Sequence, residues 1–349
     1  MKKSVMLVGS IPLETAADVF EQFGKPLGPY LRTLPDGEVG PRRYWVSRVH
    51  YQVFALHPDF EVVRRPRRDD GVERLVPHDD GDTWQFRLRD GVERVVFGEP
   101  GWRLGFALDA LNSYAIFRAA RDKGTIPAGV RFQVSLPTVN STCAPRNFPN
   151  RADLAKLRPG YTQALKAEIA TLVRKIPNED LAIQFDMARE VIEINGGIPD
   201  VPVQGTIEAN LPQLRELAPG IPEGVELGYH FCFGTIGGWP RFAPKDLAQT
   251  VRFANAVIEA SARRVDWIHI PLLDTADEAF FAPLAELKPR GARVYLGAVH
   301  HMERFRERIA MARRFLPEFG VAAYCGFGRG SPGEMPRVLQ EHLQAIKEG

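Results

Sequence analysis

Apolar residues recur along the chain in two rhythms. Short, nearly continuous apolar runs alternate with longer stretches in which apolar positions return every three to four residues. The runs begin near Val5, Tyr30, Arg131, Leu181, Val225, Asp266, Arg293 and Val321. Continuous runs of this kind suit strands buried on both faces, as in a parallel sheet covered by helices. The helical stretches are 14–23, 43–56, 106–120, 151–175, 206–217, 246–263, 278–287, 302–315 and 334–346, with 151–175 expected in two pieces around Pro159-Gly160. Eight alternating units predict an α/β fold of the (β/α)8 TIM-barrel class. A doubly wound sheet is the competing architecture, but no G-x-G-x-x-G follows the first run.

Between residues 59 and 101 the rhythm changes. Three short runs of β-forming residues, 72–76, 83–88 and 93–97, are preceded or separated by Asp-Gly turns. They predict a charged, surface-lying antiparallel β-hairpin insertion within one barrel domain spanning 1–349. The Arg and Asp runs there read as a solvated face.

The barrel reading gives the strand ends a meaning. In a (β/α)8 barrel every strand's C-terminal end faces the same mouth, so residues far apart in sequence can converge there. Gly9-Ser10, Asp36-Gly37-Glu38, Asp186, His230, Cys232, His300 and Cys325 all lie at such ends. Residues two apart in a strand share a face. His230 and Cys232 therefore point the same way, and Cys325 closes a second apolar run of the same kind. One imidazole and two thiolates suit zinc and leave one coordination position for water or substrate. The plainer alternative is a buried His and two core cysteines. Glu38 and Asp186 are two carboxylates that can capture an ammonium group or act as acid and base; helix capping or a loop ion pair is the alternative. His300 and His301 offer a proton donor, an extra ligand, or no role. His269 reads as a satisfied core histidine, and Cys143 carries no assigned function.

Composition narrows the setting. The chain has 349 residues, 44% of them hydrophobic and 25% charged, with a formal net charge of +2. No basic excess points to nucleic acid. The apolar run 5–8 behind Met1-Lys2-Lys3 is too short for a signal peptide, and no stretch is long enough for a membrane span. Three cysteines make no disulfide framework; they point to a reducing, cytoplasmic setting in which paired Cys bind metal or do chemistry.

At the strand ends the residues resemble a known family, the C-terminal catalytic barrel of cobalamin-independent methionine synthase, within the group that includes uroporphyrinogen decarboxylase-like barrels. Val8-Gly9-Ser10-Ile11-Pro12 resembles the family's Ile-Gly-Ser-Phe-Pro, and Asp36-Gly37-Glu38 its His-Gly-Glu. Ser135-Leu136-Pro137-Thr138-Val139 is similar to Thr-Gly-Pro-Val-Thr, and Gln184-Phe185-Asp186 to Gln-Ile-Asp. His230-Phe231-Cys232, Val299-His300 and Cys325-Gly326 resemble His-Met-Cys, Ile-His and the final Cys-Gly. The resemblance implies zinc held by His230, Cys232 and Cys325. It implies a homocysteine-like thiol gripped by Glu38 and Asp186 at its amino group and by Ser10 at its carboxylate, with His300 as an acid. The implied reaction is transfer of a methyl or other alkyl group to that thiol, like a 5-methyltetrahydropteroyltriglutamate-homocysteine methyltransferase. Two departures bear on this. The family's fourth ligand, a Glu, aligns with Pro271, which leaves that place to water, His269 or Asp274. The N-terminal barrel that helps bind folate in full-length synthases has no counterpart here, so the donor is a methyl-folate or a methyl-corrinoid, the latter with a corrinoid protein as partner. Other expectations stay open: a different thiol such as coenzyme M with an epoxide or aryl methyl ether as donor, a metal-free decarboxylase-like lyase using Arg42 or Arg43, or a zinc-holding binding protein.

Overall fold

The computed structural model describes residues 4–69, 72–73, 75–98, 103–197 and 205–349. All eight apolar runs become strands of one sheet: β1 (Val5–Met6), β2 (Thr33–Pro35), β3 (Arg131–Pro137), β4 (Leu181–Met187), β5 (Glu226–Phe231), β6 (Trp267–Pro271), β7 (Arg293–Gly297) and β8 (Gly320–Ala322). They lie in the order β1-β8-β7-β6-β5-β4-β3-β2, every neighbour parallel. The result is a nearly closed parallel barrel, consistent with the expected (β/α)8 class. The seam between β1 and β2 lacks a ladder; Ile11 N–H donates to Gly37 O at 2.7 Å just beyond the two strands. The side-chain amides of Gln133 and Gln184 both donate to Val8 O across the interior, at 2.9 and 2.8 Å.

Strand alternation sorts the side chains. On β4, Leu181, Ile183, Phe185 and Met187 join the large apolar core under the helices. Ala182 belongs to a separate interior cluster with Met6, Val8, Trp267, Tyr295 and Ala322. Gln184, Gly228 and Trp267 are register neighbours, and one step nearer the mouth Asp186, His230 and His269 are register neighbours in turn. The barrel interior thus changes from apolar to polar along its axis, ending at the strand termini where the chemistry was expected.

Helices surround the barrel, among them Phe106–Asp122, Arg151–Lys175, Ile207–Leu217, Ala248–Ala260, Phe305–Arg313 and Met335–Glu348. Arg151–Lys175 is one continuous helix through Pro159, not two pieces. Its buried face, including Leu154, Leu157, Tyr161, Leu165, Ile169 and Leu172, supplies packing that outweighs the roughly 3 kcal/mol a mid-helix proline costs. The predicted helix 43–56 is broken instead, because Trp45 adopts φ 48° between the 3-10 turn Gly40–Tyr44 and the α-helix Val46–Gln52. Among the described residues no helix is long and apolar enough to cross a membrane.

The insertion is antiparallel, but its pairing differs from expectation. Phe60–Arg64 pairs with Gln85–Leu88, and a separate two-residue pair joins Arg68–Asp69 to Val72–Glu73. Part of the predicted run 72–76 lies outside the described residues, and 93–97 forms no strand. One face of the hairpin is not a surface at all. Phe60, Trp84, Phe86 and Phe97 are buried with Phe54, Phe148 and Tyr161. The strong β character of these runs comes from aromatics that pack inward, while Arg64, Arg65 and Arg87 stay exposed.

Candidate metal centre

A cleft of about 940 Å³, part of it open to solvent, lies at the C-terminal end of the barrel. Ser10, Glu38, Asp186, His230, Cys232 and Cys325 all line it. Six of the seven residues expected at the site are therefore brought together. His300 is not: it lies outside the lining residues, its Nε2 donates to Leu272 O at 2.8 Å with the Arg308 guanidinium close by, and Tyr324 packs edge-on at 5.3 Å. Burial and the Arg308 charge lower its pKa to about 3, so the ring is neutral at ordinary pH.

His230 and Cys232 project from the end of β5, and Cys325 from the loop after β8. The His230 ring nitrogen and the two sulfurs lie within 4.8 Å of one another, with the sulfurs 3.4 Å apart. Two thiolates on one tetrahedral zinc would stand about 3.8 Å apart, given Zn–S bonds of about 2.3 Å. The spacing thus already approximates a ligand set. Among the described residues no further Cys, His, Asp or Glu joins the group. Pro271, at the end of β6, packs closely on β7: its Cα would stand 2.8 Å from a Cβ at Gly297.

The hydrogen-bond pattern fixes which histidine nitrogen faces the metal position. His269 Nε2 lies 2.9 Å from Ala323 O, and a carbonyl accepts only, so that nitrogen carries the proton. His269 Nδ1 is then an acceptor, and it stands 2.7 Å from His230 Nδ1, which must donate. His230 Nε2 is left with its lone pair, buried and without a hydrogen-bond partner. A buried, unpaired acceptor is costly unless something fills it, and a neutral imidazole nitrogen is what zinc takes. His269 thus uses both ring nitrogens and cannot be the missing ligand. It orients the ligand from behind, as outer partners of metal-bound histidines do. Asp274, the other substitute, does not line the cleft.

Electrostatics agree with a cation at this point. Burial, then the neighbouring His269, keeps His230 well below its ordinary pKa and therefore neutral. The hydrogen bond with Cys232, burial and the Cys232 charge push the Cys325 thiol well up. Without a cation the Cys325 sulfur holds its proton; a bound cation would release it. Gly234 N–H points at Cys232 Sγ from 3.3 Å and supports a thiolate there. The residues present fit zinc.

Beside this group stand the two carboxylates. Glu38 sits at φ 48°, an uncommon conformation for a non-glycine residue, held by its N–H donating to Asp36 Oδ1 at 2.8 Å. Its carboxylate accepts from Ser10 Oγ. Burial raises Glu38 from 4.5 to about 7 against the lowering effect of Ser10, with Asp36 adding to the rise. Asp186, which accepts from Gln184 Nε2 at 2.7 Å, is raised well above the ordinary carboxylate range by burial and then by Glu38. Two buried carboxylates that resist joint ionisation call for a shared cation, and an ammonium group answers that need. Arg42 does not supply it to both: it is paired with Asp36 at 2.6 Å and lines a smaller neighbouring pocket.

The sequence reading missed two sets of residues here. Gln184 was quoted with Asp186 in the resemblance but given no role, although it precedes Asp186 by two and shares its face, a signal of the same kind as His-x-Cys. Arg146, Arg189, Arg241 and Arg329 also line the cleft with Arg43, but they come from separate loops with no common spacing.

Comparison with known proteins bears on the fold. No family model matches the chain, and no curated protein sequence matches it. Among solved structures, a B12-independent methionine synthase from Shewanella sp. W3-18-1 in complex with selenomethionine is similar at a TM-score of 0.60 and 15% identity, covering 99% of this chain and 97% of that one. A phosphonomutase-like protein from Burkholderia cenocepacia J2315 aligns at a TM-score of 0.35 and 12% identity over 70% of this chain and 82% of its own, a likeness that carries no argument. The first likeness establishes a shared barrel fold running the length of both chains, and at that identity it establishes the fold alone.

Proposed function

We propose that this protein is a zinc-dependent transferase that moves a methyl or other alkyl group to a small, homocysteine-like thiol. The observation that carries this reading is a ring nitrogen of His230 converging with two cysteine sulfurs within 4.8 Å, in a cleft that also holds Ser10, Glu38 and Asp186. Zinc, when bound, supplies a position at which a thiol loses its proton near neutral pH. The chain's own groups do the rest. His269 holds His230 in one tautomer, and the Gly234 N–H tempers charge on Cys232. Glu38 and Asp186 take the ammonium of an amino-acid thiol, and Ser10 lies at the same end to meet its carboxylate. The methionine synthase of like fold holds selenomethionine, an amino acid of this shape, which supports the choice. With His230, Cys232 and Cys325 as the protein ligands and no carboxylate among them, a bound zinc would be formally neutral and not −1. It should therefore favour deprotonation of a bound thiol at some cost in nucleophilicity. The alkyl donor is a methyl-folate, a methyl-corrinoid or a more activated carbon electrophile.

The test is zinc content per chain in the purified wild type beside Cys325→Ser. About one zinc in the wild type and little in the variant is the expected result. A folded wild type that takes up no zinc on reconstitution would overturn the proposal and leave a metal-free lyase as the better reading.

A further inference from the structure

Cys232 and Cys325 follow strands that are not neighbours. In the order of the sheet β7 and β6 stand between β8 and β5, so no ladder fixes one sulfur against the other. Yet the sulfurs lie 3.4 Å apart. Something outside the ladders must set that spacing, and two bridges cross the gap. One is polar: His230 meets His269, and His269 meets the carbonyl of Ala323, two residues before Cys325. The other is aromatic. Phe233 directly follows Cys232, and Tyr324 directly precedes Cys325. The Trp239 ring stacks on both, with its centroid 5.9 Å from Phe233 and 4.2 Å from Tyr324 and the planes 11° and 17° from parallel.

The sequence builds this second bridge locally. After Cys232 the chain turns back within a few residues. Gly237 and Gly238 adopt φ 78° and 124°, which a residue with a Cβ rarely does. Arg241 N–H then donates to Gly234 O at 3.0 Å and Phe242 N–H to Phe233 O at 3.1 Å, so the loop closes on itself and carries Trp239 between the two rings. Trp239 Nε1 is buried and makes no hydrogen bond, so stacking is what holds the indole. Tyr324 is backed in turn. It meets His300 edge-on at 5.3 Å, and its Cα would lie 2.9 Å from a Cβ at Gly297. Trp239 itself does not line the cleft, so contact with a substrate does not account for it.

We propose that Trp239 is a positioning residue for the metal centre: clasped between Phe233 and Tyr324, it holds the Cys232 and Cys325 sulfurs at the spacing a metal ion needs before the ion arrives. This rests on the zinc reading of the site and extends it to a residue that touches none of the ligand atoms. A ligand pair ordered by the fold does not have to be ordered by the ion, so the clasp shows as metal affinity.

The test measures zinc affinity of the full chain by competition with a chromophoric chelator, beside thermal unfolding of each variant. Trp239→Phe keeps a ring that can stack and should bind zinc as the wild type does. Trp239→Ala should bind it about 10–100-fold more weakly, the usual loss when an outer partner of a metal site is removed. Tyr324→Leu removes the other ring from a partly exposed place, should weaken zinc likewise, and decides the matter if Trp239→Ala does not fold. Phe117→Leu, in the helix Phe106–Asp122 and packed on Phe20 and Phe132, is the comparison for lost stability alone; it should lower Tm and leave zinc affinity unchanged. A folded Trp239→Ala or Tyr324→Leu protein with wild-type zinc affinity would overturn the clasp, as would an equal loss in Phe117→Leu. A metal-free readout separates the clasp from the transferase reading. Phenylarsine oxide joins two thiols that stand close, forming two As–S bonds as its oxygen leaves with both thiol protons as water. One equivalent should add a single phenylarsenic group, read by intact mass, to the wild type and to Trp239→Phe and none to Trp239→Ala. Capture by the wild type without zinc binding would keep the clasp and discard the zinc transferase. Equal capture by the wild type and Trp239→Ala, or none by the wild type, would discard the clasp and leave the zinc reading to its own test.

Discussion

Glu38 concentrates the tension in this site. Its backbone occupies the left-handed region and its carboxylate is fully enclosed near a second carboxylate, so burial raises its pKa from 4.5 to about 7. A carboxyl raised in this way binds its proton more tightly folded than unfolded. Below pH 4.5 both states are protonated and the group is neutral to stability. As pH climbs from 4.5 to about 7 the unfolded chain releases its proton first, and the fold loses about 3 kcal/mol by the time the pH is above 7. Glu38→Gln should therefore raise the denaturant midpoint at pH 8 and leave it nearly unchanged at pH 4.5. An equal gain at both pH values would show that the side chain's shape, and not its charge, is what the fold resists. The same variant should bind an amino-acid thiol poorly, the exchange of stability for function expected of a binding carboxylate. At this scale the sequence was partly readable. His230, Cys232 and Cys325 follow from the period-two rule and strand-end positions. The role of His269 was not visible, because it depends on β6 lying beside β5 in a register that pairs it with His230. The arginines were unreadable for a different reason: their common feature is the mouth they share, and no spacing along the chain encodes it.

The packing of β5 against β6 decides whether that register holds. Gly228 lies opposite Trp267, and a Cβ at residue 228 would fall 1.9 Å from the indole Cε2. The absence of a side chain lets the indole cross the barrel interior, where its N–H reaches 3.4 Å from Gln184 Oε1. Gly228→Ala must move a buried ring that fits nowhere else. Overpacking of this kind costs about 1–3 kcal/mol, and the site would suffer with it, because His230 and His269 are the next inward pair on the same two strands. A lower urea midpoint together with weaker zinc retention is the expected outcome; full stability and full zinc would mean the ring has slack space. Other elements show where local pattern gave way to tertiary packing. The helix Arg151–Lys175 continues through Pro159, and Gly160 sits where a Cβ would lie 2.1 Å from Val95 O, so the chain of the insertion presses directly on the helix backbone. Both residues look like a break in sequence and are a contact in space. The insertion was readable as β structure, yet its partner strand Phe60–Arg64 was missed. Its sequence, Phe-Glu-Val-Val-Arg, has no clean alternation, since Phe60 is buried against Phe54 and Phe148 while Val63 is exposed.

Across the whole molecule, the eight apolar runs were sufficient to count the strands, and the count was sufficient for a barrel. What the count did not show is how the ring is tied. β1 and β2 share no ladder, and the interior is bridged by amides and by the convergence of β5 with β8 at the mouth. A metal held by His230 and Cys232 from one strand and Cys325 from beyond another would be a cross-brace between parts of the ring that are not neighbours. Binding that favours only the folded state stabilises it by mass action, about 2.7 kcal/mol when free metal is a hundredfold above its dissociation constant. For a chain of 349 residues the unfolding entropy makes that worth about 4 °C in Tm. Removing zinc with a chelator should lower the wild-type Tm by an amount of this order, and adding zinc back should restore it. Cys325→Ser should melt near the stripped wild type and ignore both treatments, since the strand it would tie to β5 no longer carries a ligand. A variant that still loses several degrees on chelation would place the stabilising metal elsewhere and take the cross-brace out of the fold.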